Sequence, residues 1–130
     1  MKKLLIISSI CLVFVFAGCK KNINTTYTYT DNKQVPSMQP YMTNWIDYIR
    51  EYDDSGQCIA TQSISYPVNG KEYTFTADSK TVKVKIYVDW KLTSGFSQSK
   101  KWVQQVYNLT KNGNTKIVID NNTLMGVKEP

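Results

Sequence analysis

Few side chains in this chain have the means to do chemistry. Asp47, Glu51, Asp53 and Asp54 form its one dense acidic run. A pair of carboxylates can serve as acid and base in glycoside cleavage, and Asp53-Asp54-Ser55-Gly56 offers oxygens to a calcium ion. The run lacks the Asp-x-Asp-x-Asp spacing and the distant glutamate that hold calcium, so it reads as a solvated hairpin tip or helix face. Cys58 would need a base or a cationic niche to act as a nucleophile. The chain contains no histidine, which leaves Cys58 reading as a small buried hydrophobe. The same absence removes Ser-His-Asp triads, Cys-His pairs and His-ligated zinc. No catalytic residue, metal site or cofactor is assigned, and the chain is not expected to be an enzyme.

Lys83, Lys85 and Tyr87 alternate along one segment, with Lys80, Lys91, Lys100 and Lys101 nearby in sequence. Cations flanking an exposed aromatic suit an acidic sugar or a partner's carboxylates. These three residues are the candidate binding face, although such lysines also serve simply to keep a sheet soluble and its edges unpaired.

The N-terminus has a pattern of its own. Lys2 and Lys3 precede an apolar stretch from Leu4 to Ala17, interrupted only by Ser8 and Ser9. The stretch is shorter than the roughly 20 residues that cross a bilayer, and it has the length of a signal-peptide core. It ends in Phe16-Ala17-Gly18-Cys19, which resembles the lipobox of bacterial lipoproteins. Phe16 departs from the Leu, Val or Ile usual there, whereas Ala17, Gly18 and Cys19 fit. The resemblance implies that residues 1–18 are a lipoprotein signal peptide and that Cys19 is the lipid attachment site. A diacylglyceryl group would be joined to the Cys19 sulfur, and fatty acyl chains such as palmitate would anchor the protein in the bilayer. Each buried methylene contributes about 0.8 kcal/mol, so two or three chains hold effectively for good. Lys20 stands where an Asp would retain the protein in the inner membrane, which implies the outer membrane. Lys20-Lys21-Asn22 does not match the acidic run that sends some such proteins outward, so periplasmic and surface orientations both stay open.

At 130 residues, with 42% hydrophobic and 20% charged side chains, the chain is one folding domain. Its net charge of +6 suits anionic headgroups, acidic polysaccharide or plain solubility, and an exported protein meets no nucleic acid. Cys11 leaves with the signal and Cys19 is acylated, so Cys58 has no partner for an internal disulfide.

Residues 19–40 read as the lipidated N-terminus, a linker and a possible first strand near 23–30, with residues 41–130 as the main domain. The segment 41–52 is ambiguous. On a helical wheel Tyr41, Met42, Trp45, Ile46, Tyr48, Ile49 and Tyr52 share one face. Trp, Ile and Tyr nonetheless favour strands, and Tyr52-Asp53-Asp54-Ser55-Gly56 resembles a hairpin tip returning at Gln57. The strand is preferred. Cys58, Ala60, Gln62, Ile64 and Tyr66 then alternate inward, and Asn69-Gly70 signals a hairpin that would pair Ile64 with Phe75 and Tyr66 with Tyr73. Thr81 to Lys91 is the clearest strand, with Val82, Val84, Ile86, Val88 and Trp90 inward. Leu92 to Ser99 reads as a loop. Trp102 to Leu109 and Asn114 to Asp120 form an expected last hairpin, in which Trp102 and Val103 make both faces apolar and place the strand centrally or under a partner.

Seven short strands with turn signals between them predict an all-β fold, an antiparallel two-layer β-sandwich of immunoglobulin-like type. A helical 41–52 would change this to an α+β fold with that helix packed on an antiparallel sheet. The functional expectation is a membrane-anchored, non-catalytic binding module for an extracellular glycan or protein. The alternative is an envelope assembly subunit or inhibitor in the periplasm. The oligomeric state is left open.

Overall fold

The structure, a computed structural model, describes residues 23–33, 42–92 and 98–130. The signal-like segment 1–18, Cys19 and most of the 92–99 loop lie outside the described residues. The described residues form nine strands: β1 (Thr26–Asp31), β2 (Met42–Tyr52), β3 (Cys58–Ser65), β4 (Glu72–Thr76), β5 (Lys83–Leu92), β6 (Gln98–Val103), β7 (Tyr107–Asn108), β8 (Asn114–Ile119) and β9 (Met125–Gly126). They make two sheets packed as an all-β sandwich. The smaller runs β4-β1-β8, and the larger runs β3-β2-β5-β6-β9 with β7 beside β5. All pairings are antiparallel except β1 with β8. The possible first strand is therefore formed, and it is the centre of the smaller sheet.

Segment 41–52 is strand and not helix. Met42–Tyr52 pairs on one side with β3 and on the other with β5. A helix would satisfy its own backbone groups, but it could not complete the ladders of both neighbours. Within β2, Trp45, Asp47, Ile49 and Glu51 point into the sandwich, while Ile46, Tyr48 and Arg50 lie half-buried on the outer face. The expected hairpin tip is present. Asp53 N donates to Gln57 O at 3.0 Å, and Asp53 Oδ1 accepts from Ser55 N, Ser55 Oγ and Gln57 N. Gly56 supplies the φ of +83° that this turn requires.

The core is Tyr27 and Tyr29 from β1, Trp45 and Ile49 from β2, Ile64 from β3, Val84, Ile86 and Val88 from β5, Val103 from β6, and Ile117 and Ile119 from β8. The inward row predicted for β5 holds at Val84, Ile86 and Val88. Val82 departs from it, being 42% exposed where the chain enters the strand.

Two expected hairpins do not form. The Asn69-Gly70 turn closes locally, with Lys71 N donating to Val68 O at 3.1 Å. The strands it joins nevertheless part company, because β3 pairs with β2 and β4 pairs with β1. The turn is a crossing between sheets, reached through Tyr66 at a φ of +50°. Likewise Lys111-Asn112-Gly113 turns the chain, but β8 pairs in parallel with β1 and not with β7. Cys58 is a further correction: it is exposed at the start of edge strand β3, with Sγ donating weakly to Ala60 O at 3.6 Å.

Candidate functional site

The acidic run divides in two once folded. Asp53 and Asp54 lie at the hairpin tip as expected, but Asp47 and Glu51 are fully buried between the sheets, where burial demands partners for every oxygen. Glu51 finds four. Oε1 accepts from Tyr27 Oη at 2.8 Å and Gln62 Nε2 at 3.4 Å, and Oε2 accepts from Asp78 N at 2.9 Å and Thr81 Oγ1 at 2.8 Å. Asp47 Oδ2 accepts from Tyr29 Oη at 2.7 Å, and Oδ1 accepts from Trp45 Nε1 at 3.1 Å. Burial foremost, and then these carboxyls, hold the Tyr27 and Tyr29 phenols well above their ordinary range.

Asp31 completes this cluster at the end of β1. Its Oδ1 accepts from Lys33 N at 2.8 Å, while its buried Oδ2 meets no N–H or O–H donor. The carboxyl of Asp47 lies within reach of that of Asp31, and burial and then the hydrogen bond and charge of Asp31 push it up to about 8. A carboxyl so raised can keep a proton and donate it to Asp31. Burial holds Lys33, beside the pair, below its ordinary range. Asp47 and Glu51 are thus spent on buried bonds and form no pair open to substrate, while Asp53 and Asp54 keep the solvated hairpin tip.

The candidate face is the outer side of the larger sheet, and the structure brings more residues to it than Lys83, Lys85 and Tyr87. Register sets Tyr48 opposite Tyr87, Arg50 opposite Lys85, Tyr52 opposite Lys83 and Tyr87 opposite Trp102. Residues so opposed share a face. The Tyr48 and Tyr87 rings lie 6.0 Å apart, and those of Tyr87 and Trp102 lie 4.9 Å apart. The Arg50 guanidinium stands 5.7 Å from the Tyr87 centroid and 5.1 Å from that of Trp102, and the Lys85 ammonium is 4.6 Å from that of Tyr52. Cations alternate with aromatic rings, an arrangement worth roughly 0.5–2 kcal/mol per pair.

This face is not an open lysine patch, because the C-terminal segment reaches onto it. Glu129 Oε1 accepts from Lys85 Nζ at 3.0 Å and from Tyr52 Oη at 2.6 Å. Those two donors hold the Glu129 carboxyl below its usual range, while burial and then Glu129 push the Tyr52 phenol up to about 12. Lys83, Lys85 and Tyr87 are half-buried. Trp102, only 8% exposed on this outer face, has Arg50 and Tyr87 as its cover, while Val103 faces the core.

Arg50, Tyr52 and Glu129 escape the sequence reading of this face, as do Tyr27, Tyr29 and Asp31 in the interior. The alternation Tyr27-x-Tyr29 was a usable signal, since two phenols on an inward face need two acceptors. Among the described residues no group of three or more metal-ligating side chains gathers. Fold and face together define the class, a small two-sheet β-sandwich with a cation and aromatic row on one outer face. No family model, no curated protein and no solved structure matches the chain.

Proposed function

We propose that the protein is a lipid-anchored, non-catalytic binding module of the bacterial outer membrane, held through Cys19, and that it meets an external glycan or protein on the outer face of its larger sheet. The observation that carries the binding reading is the row formed by Arg50, Tyr87, Trp102, Tyr52 and Lys85. Cations laid over aromatic rings, with Tyr87 half-buried and Trp102 and Tyr52 largely covered, are a composition met in recognition surfaces. Anchoring rests on the lipobox resemblance of residues 16–19.

The topology is compatible with both parts. The chain enters β1 at the end built by residues 53–57, 77–82 and 110–113, where Ala77 N donates to Thr25 O and Thr26 N to Gly113 O. The test is twofold. Cys19→Ser should abolish fatty-acid labelling and release the protein from membranes. A photo-reactive side chain at position 83 should yield a discrete cross-linked adduct in living cells, whereas one at Lys116, on the smaller sheet, should not. Adducts from position 116 alone would overturn the assignment of the face.

A further inference from the structure

The segment that already lies on this face says what kind of ligand fits it. Strand β9 adds to the free edge of β6, but it pairs only at Trp102 and Val103. Among the described residues nothing pairs with Gln98 to Lys101 on that edge. From β9 the chain is led back by Gln104, whose N donates to Leu124 O and whose Nε2 donates to Lys128 O, each at 2.9 Å. It then delivers the Glu129 carboxylate to Lys85 and Tyr52, on strands β5 and β2.

The two sides of this contact are unequal. The receiving groups belong to the fold: Tyr52 is 5% exposed and the Lys85 side chain 14%. The delivered segment is held at Met125, which packs against the core, while Leu124 at 73%, Val127 at 80% and the Glu129 side chain at 41% stay exposed. A carboxylate receptor near a strand edge that is mostly unpaired among the described residues is thus filled by an occupant whose side chains, Met125 apart, are largely exposed. Lys85 lies past the Val103 end of β6, so an extended chain whose carboxylate enters at Lys85 and whose backbone then runs antiparallel to β6 could add ladder bonds along Gln98 to Lys101, where Lys100 and Lys101 add positive charge.

We propose that the β6 edge and the Lys85–Tyr52 carboxylate receptor form the docking site for an extended acidic peptide of a partner protein, and that residues 124–130 occupy it in the unliganded molecule. This rests on the binding reading above and specifies its ligand. Charge favours this occupant, since Arg50, Lys83, Lys85, Lys100 and Lys101 all belong to the two strands and edge that it would follow.

The probe is a fluorescent synthetic peptide with the sequence of residues 121–130, titrated by anisotropy against the full chain in detergent. Glu129→Gln in the protein weakens the internal competitor, so this variant should bind the probe at least tenfold more tightly than the parent. A probe carrying Gln in place of its glutamate should bind at least tenfold more weakly to the same variant. Lys85→Ala should also lose the probe while keeping the parent's thermal midpoint within a few degrees. Absence of binding to every variant, or affinity indifferent to the probe's glutamate, would overturn the proposal. Dimers formed by exchanging residues 124–130, seen as a doubled mass in light scattering, would assign the occupant to a second copy and overturn the partner assignment. A cross-linked adduct from position 83 that contains only polysaccharide would overturn the peptide ligand and leave the assignment of the face standing.

Discussion

The hydroxyl of Tyr29 donates to Asp47 Oδ2 at 2.7 Å, joining the central strand of one sheet to the inward face of the other. Asp47 also lies within reach of Asp31, and burial with that neighbour pushes its carboxyl up to about 8. Between the ordinary carboxylate range and that value the folded chain keeps a proton that the unfolded chain has released. The stability tied to this group is therefore complete below about pH 4 and is lost as pH rises through about 8. Lys33 and Lys101 lie close enough to feel each other, and Asp31, Asp47 and Lys33 share the same corner. In Asp47→Asn the amide keeps the shape, supplies an N–H to Asp31 and does not titrate. Urea unfolding at pH 5, 6.5 and 8 should show the parent losing about 2 kcal/mol or more relative to this variant across the window. Parallel pH profiles for the two chains would sink the shared proton.

Glu51 is expected to be the costlier residue to disturb. It accepts from β1 through Tyr27, from β3 through Gln62, and from the β4–β5 connection through Asp78 N and Thr81 Oγ1. Tyr27→Phe leaves three of those donors in place and should cost about 1–3 kcal/mol. Glu51→Gln turns one acceptor into a donor, so a hydroxyl beside it must turn to accept, the neighbouring N–H loses its partner and the charge leaves the buried site, and the cost should exceed that of Tyr27→Phe. Chemical denaturation of both variants checks the order. A Glu51→Gln chain as stable as the parent would show that this carboxyl is not what clamps the sheets.

What could be read in the sequence follows from how local each cause is. β5 was legible because Val84, Ile86 and Val88 alternate with wetter residues and its inward face is uniformly apolar. β2 was ambiguous because it inverts that rule, sending Asp47 and Glu51 inward while Ile46 and Tyr48 lie on the outer face. The partners that make this tolerable, Tyr29 and Tyr27, are 18 and 24 residues away. Asn69-Gly70 correctly announced a turn, but a turn signal does not say whether the flanking strands stay in one sheet. The parity of Lys83, Lys85 and Tyr87 was readable, whereas their cover was not, since Glu129 lies 44 residues beyond Lys85.

Cys58 offers a simple check on the corrected burial. Exposed at the start of β3, with its Sγ hydrogen-bonded weakly to Ala60 O at 3.6 Å and Thr61 Oγ1 at 3.9 Å, it contributes little packing. Cys58→Ser should change stability by no more than about 0.5 kcal/mol, the usual range for surface substitutions. The thiol should react fully with a maleimide under native conditions. Labelling that requires denaturant would restore the buried reading.

The tail should leave its site on acidification, and at the opposite sense of pH to Asp47. The Tyr52 and Lys85 donors hold the Glu129 carboxyl below the ordinary glutamate range, so its attachment is complete above that range and is lost as pH falls through the lowered value. The sheets themselves need not open at that pH, because the Asp47 contribution is then at its fullest. Amide exchange at Gln104, whose N–H donates to Leu124 O, should accelerate from pH 6 to pH 3 relative to core amides such as Ile86, after correction for intrinsic rates. Gly126→Ala should mimic the effect at neutral pH, since an added Cβ would stand 2.6 Å from Gln104 Nε2 and displace the side chain that holds Lys128 O. Lys85→Gln should shift the release midpoint upward by removing the stronger charge on the carboxylate. Exchange at Gln104 that tracks Ile86 at every pH would mean that residues 124–130 are an integral part of the sandwich and do not detach.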